Sequence, residues 1–266
     1  MVILAPSIPE IQKHIDHYWI LNDAGILSLG SPFMYAYPGI TPDMIIVLEG
    51  HYTMTYMGKT YHSDASRLFS FIHDQVYLDL SALKRCIIVK FKSRGLSSLR
   101  PFLRADAQTI MRDSVACLDD VFGVAINNFI SYLDTLQAPQ VVTALDEWFL
   151  EQYNKQAEGF VVEMAQEISS TFDMKTIMDA TGYSYSTMER HFKKDTGLTP
   201  KRFQSLQRYK LALRELYITR NSDWQHYVVK YGYYDQSHFI KDIKRYTYLP
   251  PGQLLKTAAF IKVRPM

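Results

Sequence analysis

Hydrogen-bonding and basic side chains recur at helical spacing between positions 232 and 246, in the stretch GYYDQSHFIKDIKRY. The polar set that follows its Gly-Tyr pair is Gln236, Ser237, His238, Lys241, Lys244 and Arg245. These side chains can donate and accept hydrogen bonds and carry positive charge, which suits recognition of a polar, anionic surface. Only Phe239 and Ile243 are strongly apolar after the turn, so the stretch predicts a helix with a narrow buried stripe and a broad polar face.

The same order of features occurs once more, from 182 to 200, in GYSYSTMERHFKKDTGLTP. Gly182 and Gly232 lie fifty residues apart, whereas Met188 and Phe239 lie fifty-one apart, so the second copy has one extra residue in its turn. The polar set of the first copy is Ser186, Thr187, Glu189, Arg190, Lys193 and Lys194. A repeat of this kind indicates two copies of one structural unit.

Each copy begins with a short segment, at about 174–181 and 224–231, that ends at the glycine. Glycine permits the positive φ angle that ends a helix and reverses the chain. A helix, a short glycine turn and a second helix form the helix-turn-helix arrangement, whose second helix enters the major groove of DNA. We therefore predict two such motifs, with double-stranded DNA as the partner.

A further helical segment, at about 200–217, joins the two units and has an apolar side. We call the second helix of each motif its reading helix. Each reading helix is predicted to bury two apolar residues that hold it to the domain, Met188 and Phe192 in the first motif and Phe239 and Ile243 in the second. A rigid connection that sets the reading helices about 34 Å apart lets them enter successive major grooves on one face of the duplex. Some bending of the DNA is expected.

Residues from about 160 to 257 resemble the AraC/XylS family of bacterial transcription regulators. The most specific part is GYYDQSHFIKDIKRYTYLPPGQL, which is similar to the family's second motif in its glycine-aromatic pair, its Asp-Gln-Ser-x-Phe and its late proline. The earlier copy is similar to the family's first motif. The resemblance implies a regulator that contacts promoter DNA through both polar sets named above. It also implies an N-terminal cupin-like domain that senses an effector or forms dimers.

Both motifs depart from the family pattern at positions where helices pack together. Met178 and Val228 stand four residues before the glycines, where the family has a small residue, and Trp224 and Tyr227 stand where it has small aliphatic residues. We therefore expect unusual helix packing inside the motifs. Glu189 is acidic on a surface that faces phosphates, although it can accept a hydrogen bond from cytosine N4.

Charge is distributed unevenly along the 266 residues, whose formal net charge is +2. Residues 1–170 carry 12 basic and 19 acidic side chains, a net of −7, whereas residues 171–266 carry 17 and 8, a net of +9. Opposite signs indicate two domains, which we place at 1–155 and 156–266, with the polar stretch 154–159 as the linker. A net of +9 is modest, so we expect affinity for DNA to depend on dimerisation and on salt.

Short alternating segments from 43 to 93 predict antiparallel strands. The expected fold class is therefore α+β, with an N-terminal strand-rich, cupin-like barrel with helices and a C-terminal all-α domain with two helix-turn-helix motifs. An apolar helical stripe at 115–136 and an amphipathic segment at 141–153 either pack on the barrel or form the seam of a homodimer. Aromatic residues either fill the barrel core or line the pocket of a small-molecule effector: Tyr18, Trp19, Phe33, Tyr35, Tyr37, Tyr52 and Tyr56.

The alternative function is a cupin-type metal-dependent enzyme, or a small-molecule-binding protein whose helical domain does not bind DNA. The candidate metal ligands are His51, His62, His73 and Glu49, with a separate HxxH pair at His14 and His17. Neither group has the spacing of a strong metal motif, and the GxSxG, P-loop and GxGxxG motifs are missing from the sequence. We therefore expect no catalytic residue, no metal and no cofactor.

Cys86 and Cys117 are the only cysteines, and neither belongs to a CxxC motif or a Cys/His cluster, so we expect two buried thiols and no disulfide. No apolar run reaches the roughly 18 residues that a membrane helix needs. The N-terminus lacks the basic start and long apolar centre of a signal peptide. These features favour a cytoplasmic protein without a membrane partner.

Overall fold

The computed structural model describes residues 1–27, 31–36, 38–39, 41–70, 72, 74–92, 95–96, 99, 115–153, 174–196 and 198–256. Strands dominate the described chain before residue 118 and helices form the part after it, so the predicted α+β class is confirmed. The predicted linker at 154–159 and the domain boundary beside it lie outside the described residues, as do Tyr37 and His73. Among the helices described, none has the length and apolar character needed to cross a bilayer.

The N-terminal sheet region, by which we mean the described residues up to 153, contains two antiparallel sheets. Its strands are β1 (Val2–Leu4), β2 (Ile15–Leu21), β3 (Phe33–Ala36), β4 (Asp43–Gly50), β5 (Tyr52–Tyr56), β6 (Lys59–Ser63), β7 (Arg67–Phe69), β8 (Val76–Asp79), β9 (Leu83–Phe91) and β10 (Val115–Cys117). The first sheet has the order β1-β2-β9-β4-β7-β10 and the second has the order β3-β8-β5-β6. Strands from 43 to 93 are thus confirmed.

Strand β9 separates two apolar clusters because its side chains alternate between the faces of the first sheet. Val89 and Phe91 are fully buried on one face, where Phe91 meets Phe149 edge to face at 5.6 Å between ring centroids. Cys86 is buried on the other face, in the cluster between the two sheets. The prediction of two buried thiols holds for Cys86, whereas Cys117 is half-buried.

Five helices complete this region: α1 (Pro9–Gln12), α2 (Asp23–Leu27), α3 (Leu118–Phe122), α4 (Ile126–Asp134) and α5 (Ala138–Gln152). The predicted helical stripe at 115–136 is wrong at its start, because Val115–Cys117 pairs with Arg67–Phe69 as an edge strand. A three-residue strand is too short for its periodicity to be read. Leu118 and Leu133 are buried within the chain, and Phe129 stacks on Trp148 at 5.2 Å.

Asp146 of α5 holds the N-terminal segment in place from a fully buried position. Its Oδ2 accepts hydrogen bonds from the backbone N of Ser7 at 2.6 Å, from Ser7 Oγ at 2.7 Å and from the backbone N of Ile8 at 3.0 Å. Its Oδ1 accepts from the Tyr18 hydroxyl at 2.6 Å. Burial, followed by this contact with Asp146, raises the pKa of Tyr18. A buried carboxylate with four donors is a strong constraint, since losing any one leaves a desolvated group unpaired.

The C-terminal helical region, by which we mean the described residues from 174 onward, contains six helices. They are α6 (Met174–Thr181), α7 (Tyr185–Thr196), α8 (Pro200–Thr219), α9 (Trp224–Tyr231), α10 (Gln236–Thr247) and α11 (Pro251–Leu254). The helices predicted at 174–181 and 224–231 have the predicted bounds, and the one predicted at 200–217 continues for two more residues. Leu206 and Leu216 of α8 are buried, so its apolar side forms the centre of this region.

Candidate nucleic-acid interface

The turn before α10 positions the second polar set. Gly232 ends α9 with a φ of 67°, and Tyr233 is then buried. Asp235 caps α10, because its Oδ1 accepts from the backbone N of His238 at 2.7 Å. An N-cap fixes where a helix begins. Gln236 is therefore the first residue of the helix, and the polar set starts in its first turn.

Helix α10 has one buried side and one polar side. Phe239 and Ile243 are fully buried, as predicted, and Phe239 lies parallel to Tyr227 of α9 with ring centroids 5.1 Å apart. On the other side His238 is half-buried and five residues are exposed: Gln236, Ser237, Lys241, Lys244 and Arg245. The second polar set thus forms a continuous outward face with three cations.

His238 is held in one tautomer by the turn. The backbone N–H of Tyr234 donates to His238 Nδ1 at 3.3 Å, and a backbone N–H can only donate. Nδ1 is therefore the acceptor, and the ring proton lies on Nε2. Tyr233 packs edge-on against the same ring at 5.3 Å. The half-buried imidazole consequently offers an N–H donor on the polar side of α10.

Helix α7 also follows a glycine turn and a capping residue, but its capping hydrogen bond is longer than that of α10. Gly182 has the same φ of 67°, and Ser184 Oγ accepts from the backbone N of Thr187 at 3.3 Å. The same hydroxyl lies 3.0 Å from Ser186 Oγ and 3.1 Å from Thr187 Oγ1. Hydroxyl groups at the start of α7 thus form a small network that fixes their positions before any partner arrives.

The charged residues of the first polar set are partly paired with each other. Lys193 Nζ lies 2.9 Å from Glu189 Oε1, one helical turn away on α7. Arg190 is exposed beside this pair, and the side chain of Lys194 lies outside the described part of the chain. Met188 and Phe192 are fully buried behind them, as predicted. The acidic Glu189 is therefore neutralised locally by Lys193, which sequence reasoning did not anticipate.

Bulky residues at the departures from the family pattern pack between the helices. Tyr227 is fully buried and donates from its hydroxyl to the backbone O of Asn221 at 3.1 Å. Trp224 lies 6.0 Å from Phe239 between ring centroids. Val228 is buried and Met178 is half-buried. Aromatic rings thus make up part of the packing between helices α9 and α10.

Glu215 fastens α9 to α8. Its Oε1 accepts from His226 Nε2 at 2.9 Å and from Lys230 Nζ at 2.8 Å, and its Oε2 accepts from the Tyr231 hydroxyl at 2.5 Å. Burial acts to raise the pKa of Glu215, but the hydrogen bonds from Lys230, Tyr231 and His226 outweigh it and lower this pKa to about 2. The second motif is therefore fixed to the connecting helix by an ionised carboxylate.

A second polar contact fastens α10 to α8. Asp242 is buried on the inner side of α10, and its Oδ2 lies 3.8 Å from Arg208 Nη2. The Arg208 guanidinium lies 4.5 Å above the ring of Tyr233. Burial raises the pKa of Asp242, and the Arg208 charge opposes that rise. Sequence reasoning missed Asp242, because an acidic residue on a helix reads as solvent-exposed.

Helix α8 also contacts the N-terminal sheet region. Lys210 Nζ donates to Thr41 Oγ1 at 2.6 Å, close to an ion pair in which Lys90 Nζ lies 2.5 Å from Asp43 Oδ2. Burial lowers the pKa of Lys210 to about 8, with Asp43 opposing the shift and Lys90 adding to it. A second contact joins the Tyr248 hydroxyl to Asp74. Nothing in the sequence signalled these contacts between distant segments.

The aromatic residues expected either to fill the barrel core or to line an effector pocket are not all on one side. Tyr18, Tyr52 and Tyr56 are buried, whereas Phe33 and Tyr35 are exposed on the second sheet. Trp19 is half-buried, with Lys90 Nζ 5.5 Å from its ring. The exposed pair therefore does not belong to the core between the sheets.

The predicted alternative metal ligands are also spread out. His51 and His62 are exposed, and Glu49 forms an ion pair with Lys84 at 3.0 Å. His14 is buried and stacks on Tyr153 at 4.1 Å, whereas His17 Nδ1 lies 2.5 Å from Asp16 Oδ2. Among the described residues, ligand-type atoms come within 4.8 Å of one another in a group of three at Cys117, Asp119 and Asp120, and not at the candidate ligands of the alternative function.

Comparison with known proteins gives one family match and several structural likenesses. A helix-turn-helix domain family matches residues 177–257, which include both polar sets. No curated protein sequence matches the chain. An apo variant of ToxT from Vibrio cholerae has 12% identity and a TM-score of 0.48, covering 90% of this chain and 96% of that chain.

Two further solved structures complete the comparison. Wild-type ToxT from Vibrio cholerae with unsaturated fatty acid bound has 12% identity and a TM-score of 0.45, covering 94% of this chain and 98% of that one. The AraC-like transcriptional activator CuxR has 14% identity and a TM-score of 0.26, covering 79% of this chain and 73% of that one.

Proposed function

We propose that this chain, whose residues 177–257 form a helix-turn-helix domain of the AraC type, is a sequence-specific DNA-binding regulator of transcription that works in the cytoplasm. The observation that carries the proposal is the pair of helices α7 and α10, each buried on one side and polar on the other. We place the boundary between the N-terminal domain and the DNA-binding domain at 155/156.

Helix α10 supplies the clearer reading surface. Gln236, Ser237 and the Nε2–H of His238 lie in its first turn and a half, where the recognition helix of such motifs meets base edges. Lys241 reads a base edge one turn later, and Lys244 and Arg245 bind phosphates. Three exposed cations on one face supply the attraction to the DNA backbone that fixes the register of the helix.

Helix α7 supplies the second surface. Ser186, Thr187 and Arg190 meet base edges, with arginine suited to guanine O6 and N7. Glu189 accepts from a cytosine N4, and its ion pair with Lys193 reduces its repulsion from phosphates. We assign Lys193 and Lys194 to contacts with the phosphates of DNA. This helix therefore contributes more hydrogen bonding and less net charge than α10.

The connecting helix supports simultaneous entry into two grooves. Helix α8 spans Pro200–Thr219, 20 residues, and at 1.5 Å per residue it is about 30 Å long. Successive major grooves on one face of DNA are about 34 Å apart. Glu215 and Arg208 fasten the second motif to α8, and Phe192 of α7 meets Phe203 of α8 with ring centroids 5.4 Å apart, so both reading helices are held to one helix before DNA binds.

We also propose that a small anionic effector binds where the N-terminal domain contacts Lys210 of α8. Two ammonium groups, of Lys210 and Lys90, lie near a single carboxylate, that of Asp43. Burial lowers the pKa of Lys210, with Asp43 opposing the shift and Lys90 adding to it, and an anion bound beside Lys210 would favour the charged ammonium. The test is a thermal-shift screen of small carboxylates and phosphates, in which Lys210→Met should abolish any stabilisation seen with the wild type.

We further propose that the chain forms a homodimer through residues 115–136. Much of this segment packs within the chain, but Val124 is 79% exposed and Tyr132 is 54% exposed. Sedimentation analysis of the wild type and of Tyr132→Glu tests the idea. A wild-type dimer that becomes a monomer in the variant supports this seam, whereas a monomeric wild type removes it.

The decisive experiment for DNA binding is selection of genomic fragments with the full-length protein at near-physiological salt, followed by sequencing. We expect a few sites in which two short conserved blocks lie about one helical turn apart. Uniform recovery of fragments, lost as salt is raised, would reduce the activity to electrostatic attraction and contradict sequence-specific regulation.

A further inference from the structure

The two helix-turn-helix motifs differ by one residue in their turns. Three residues, 182–184, separate α6 from α7, and four residues, 232–235, separate α9 from α10. The glycines of the two turns share a φ of 67°, and Ser184 and Asp235 cap the following helices. Tyr233 therefore corresponds to Tyr183, which leaves Tyr234 as the added residue.

Tyr183 and Tyr233 each pack against the helix that follows their turn, whereas the added Tyr234 is left exposed. The Tyr183 ring stacks on His191 at 5.3 Å, and the Tyr233 ring meets Phe239 edge-on at 5.3 Å. Tyr234 is 90% exposed, the largest fraction for any big apolar residue in the described part of the chain. Its ring consequently contributes little to the stability of the fold and is free to contact a partner.

The backbone of Tyr234 is fixed beside the reading surface. Its N–H donates to His238 Nδ1, and the next residue, Asp235, caps α10 through the backbone N of His238. Tyr234 thus lies one residue outside the helix, next to the first turn that carries Gln236 and Ser237. When α10 lies in a major groove, a residue at this place lies at the edge of the groove, where the sugar-phosphate backbone runs.

We propose that Tyr234 is a DNA-positioning contact, with its ring against a deoxyribose and its hydroxyl donating to a phosphate at the edge of the groove that α10 enters. Tyrosine is among the side chains that make such backbone contacts, which fix register without reading sequence. The contact is specific to the second motif, since the first has no matching residue. This inference rests on the proposed function and adds a residue to it.

The test compares full-length wild type, Tyr234→Phe and Tyr234→Ala on two probes: a 40-bp duplex recovered by the wild type, and a shuffled duplex of the same composition. We expect Tyr234→Ala to weaken binding about tenfold on both probes, and Tyr234→Phe about threefold, as loss of a hydrogen bond predicts. The slope of log affinity against log salt should not change, because a neutral side chain releases no counterions.

Leu27→Ala is the control, since it removes a large, 73% exposed side chain from the N-terminal sheet region, away from the polar sets and from residues 115–136, and its affinity should equal that of the wild type. Unchanged affinity in Tyr234→Ala would overturn the inference. A loss confined to the recovered duplex would also overturn it, because the residue would then read a base. If the selection recovered no duplex with the wild type, the proposed function itself would fall, and this contact with it.

Discussion

Lys210 Nζ donates a hydrogen bond to Thr41 Oγ1 at 2.6 Å, which joins the helix between the two motifs to the N-terminal sheet region. The contact is tight: a Cβ added to Gly39 would lie 2.7 Å from Lys210 Cε. The same helix holds the second motif through Glu215 and Arg208. Helix α8 therefore contacts both the N-terminal sheet region and the second helix-turn-helix motif, and so links the two physically.

The pH dependence of stability should reveal the burial of Lys210. Its pKa of about 8 lies below the ordinary value of 10.5, so the unfolded chain binds more protons between these values and stability rises with pH through that window. Compared with Lys210→Met, the wild type should gain about 1–3 kcal/mol from pH 8 to 10.5. Urea unfolding at several pH values measures this. Lys201→Met, an exposed site on α8, should follow the wild type, and parallel curves for all three proteins would contradict the burial.

Arg190→Ala and Lys241→Ala should each weaken binding to a selected site by about 1–3 kcal/mol and relax its sequence preference at one position. The reason is that each cation is exposed on its helix and, under the proposed function, contacts a base edge. Competition binding with single-base variants of the site measures both effects. Lys244→Ala is the comparison, since loss of a phosphate contact weakens binding to all sequences alike. Unchanged affinity in both of the first two variants would contradict reading through two grooves.

Glu189→Gln should strengthen non-specific DNA binding several-fold and steepen its salt dependence by about one counterion. The change removes a negative charge and releases Lys193 from its 2.9 Å ion pair, so that this ammonium becomes available to a phosphate. Titration of a shuffled duplex at several salt concentrations is the measurement. Glu147→Gln alters the net charge equally but at an exposed site on α5, and an equal gain there would show that only net charge matters.

Glu215→Gln should destabilise the second motif by about 1–2 kcal/mol at pH 7, because three donors lose an ionised acceptor. The pKa of Glu215 is lowered to about 2 from 4.5, so its contribution is present above pH 4.5 and is lost as the pH falls toward 2. Unfolding measured from pH 7 down to pH 2 should show the two proteins converge. A constant difference across that range would mean that the ionised carboxylate is not the source.

Gly232→Ala should cost about 1–2 kcal/mol, since its φ of 67° strains a residue with a side chain although the space around it is open. Gly50→Ala should cost at least twice as much. Gly50 has a φ of 89°, and an added Cβ would lie 2.3 Å from the carbonyl oxygen of Ala82. Thermal unfolding of the two variants makes the comparison, and equal losses would contradict the close approach at Gly50.

The helical region was the more predictable part of the fold. Gly182 and Gly232 mark the two turns, and the bounds of α6 and α9 follow from them because a positive φ ends a helix locally. Burial of Phe192 and Ile243 followed from helical periodicity alone. These are local properties, so a short stretch of the sequence is enough to predict them.

Contacts between distant residues were not predictable. Lys210 and Thr41 are 169 positions apart, and the buried Asp242 of α10 lies 3.8 Å from Arg208 of α8. Val115–Cys117 forms a strand because Arg67–Phe69 offers an open edge. In each case the local sequence pattern favours an environment other than the one observed, and contacts with distant residues determine the structure.

The two reading surfaces differ in chemistry: hydroxyl groups and a paired Glu189 on α7, and His238 with three exposed cations on α10. Under the proposed function, a single chain with two unlike surfaces has no two-fold axis, so a DNA sequence that it recognises would have a direction. Inverting such a site in front of a gene would leave affinity unchanged and turn the N-terminal region to face the opposite way along the duplex. Regulation would then depend on the orientation of a site relative to its gene as well as on the sequence of the site.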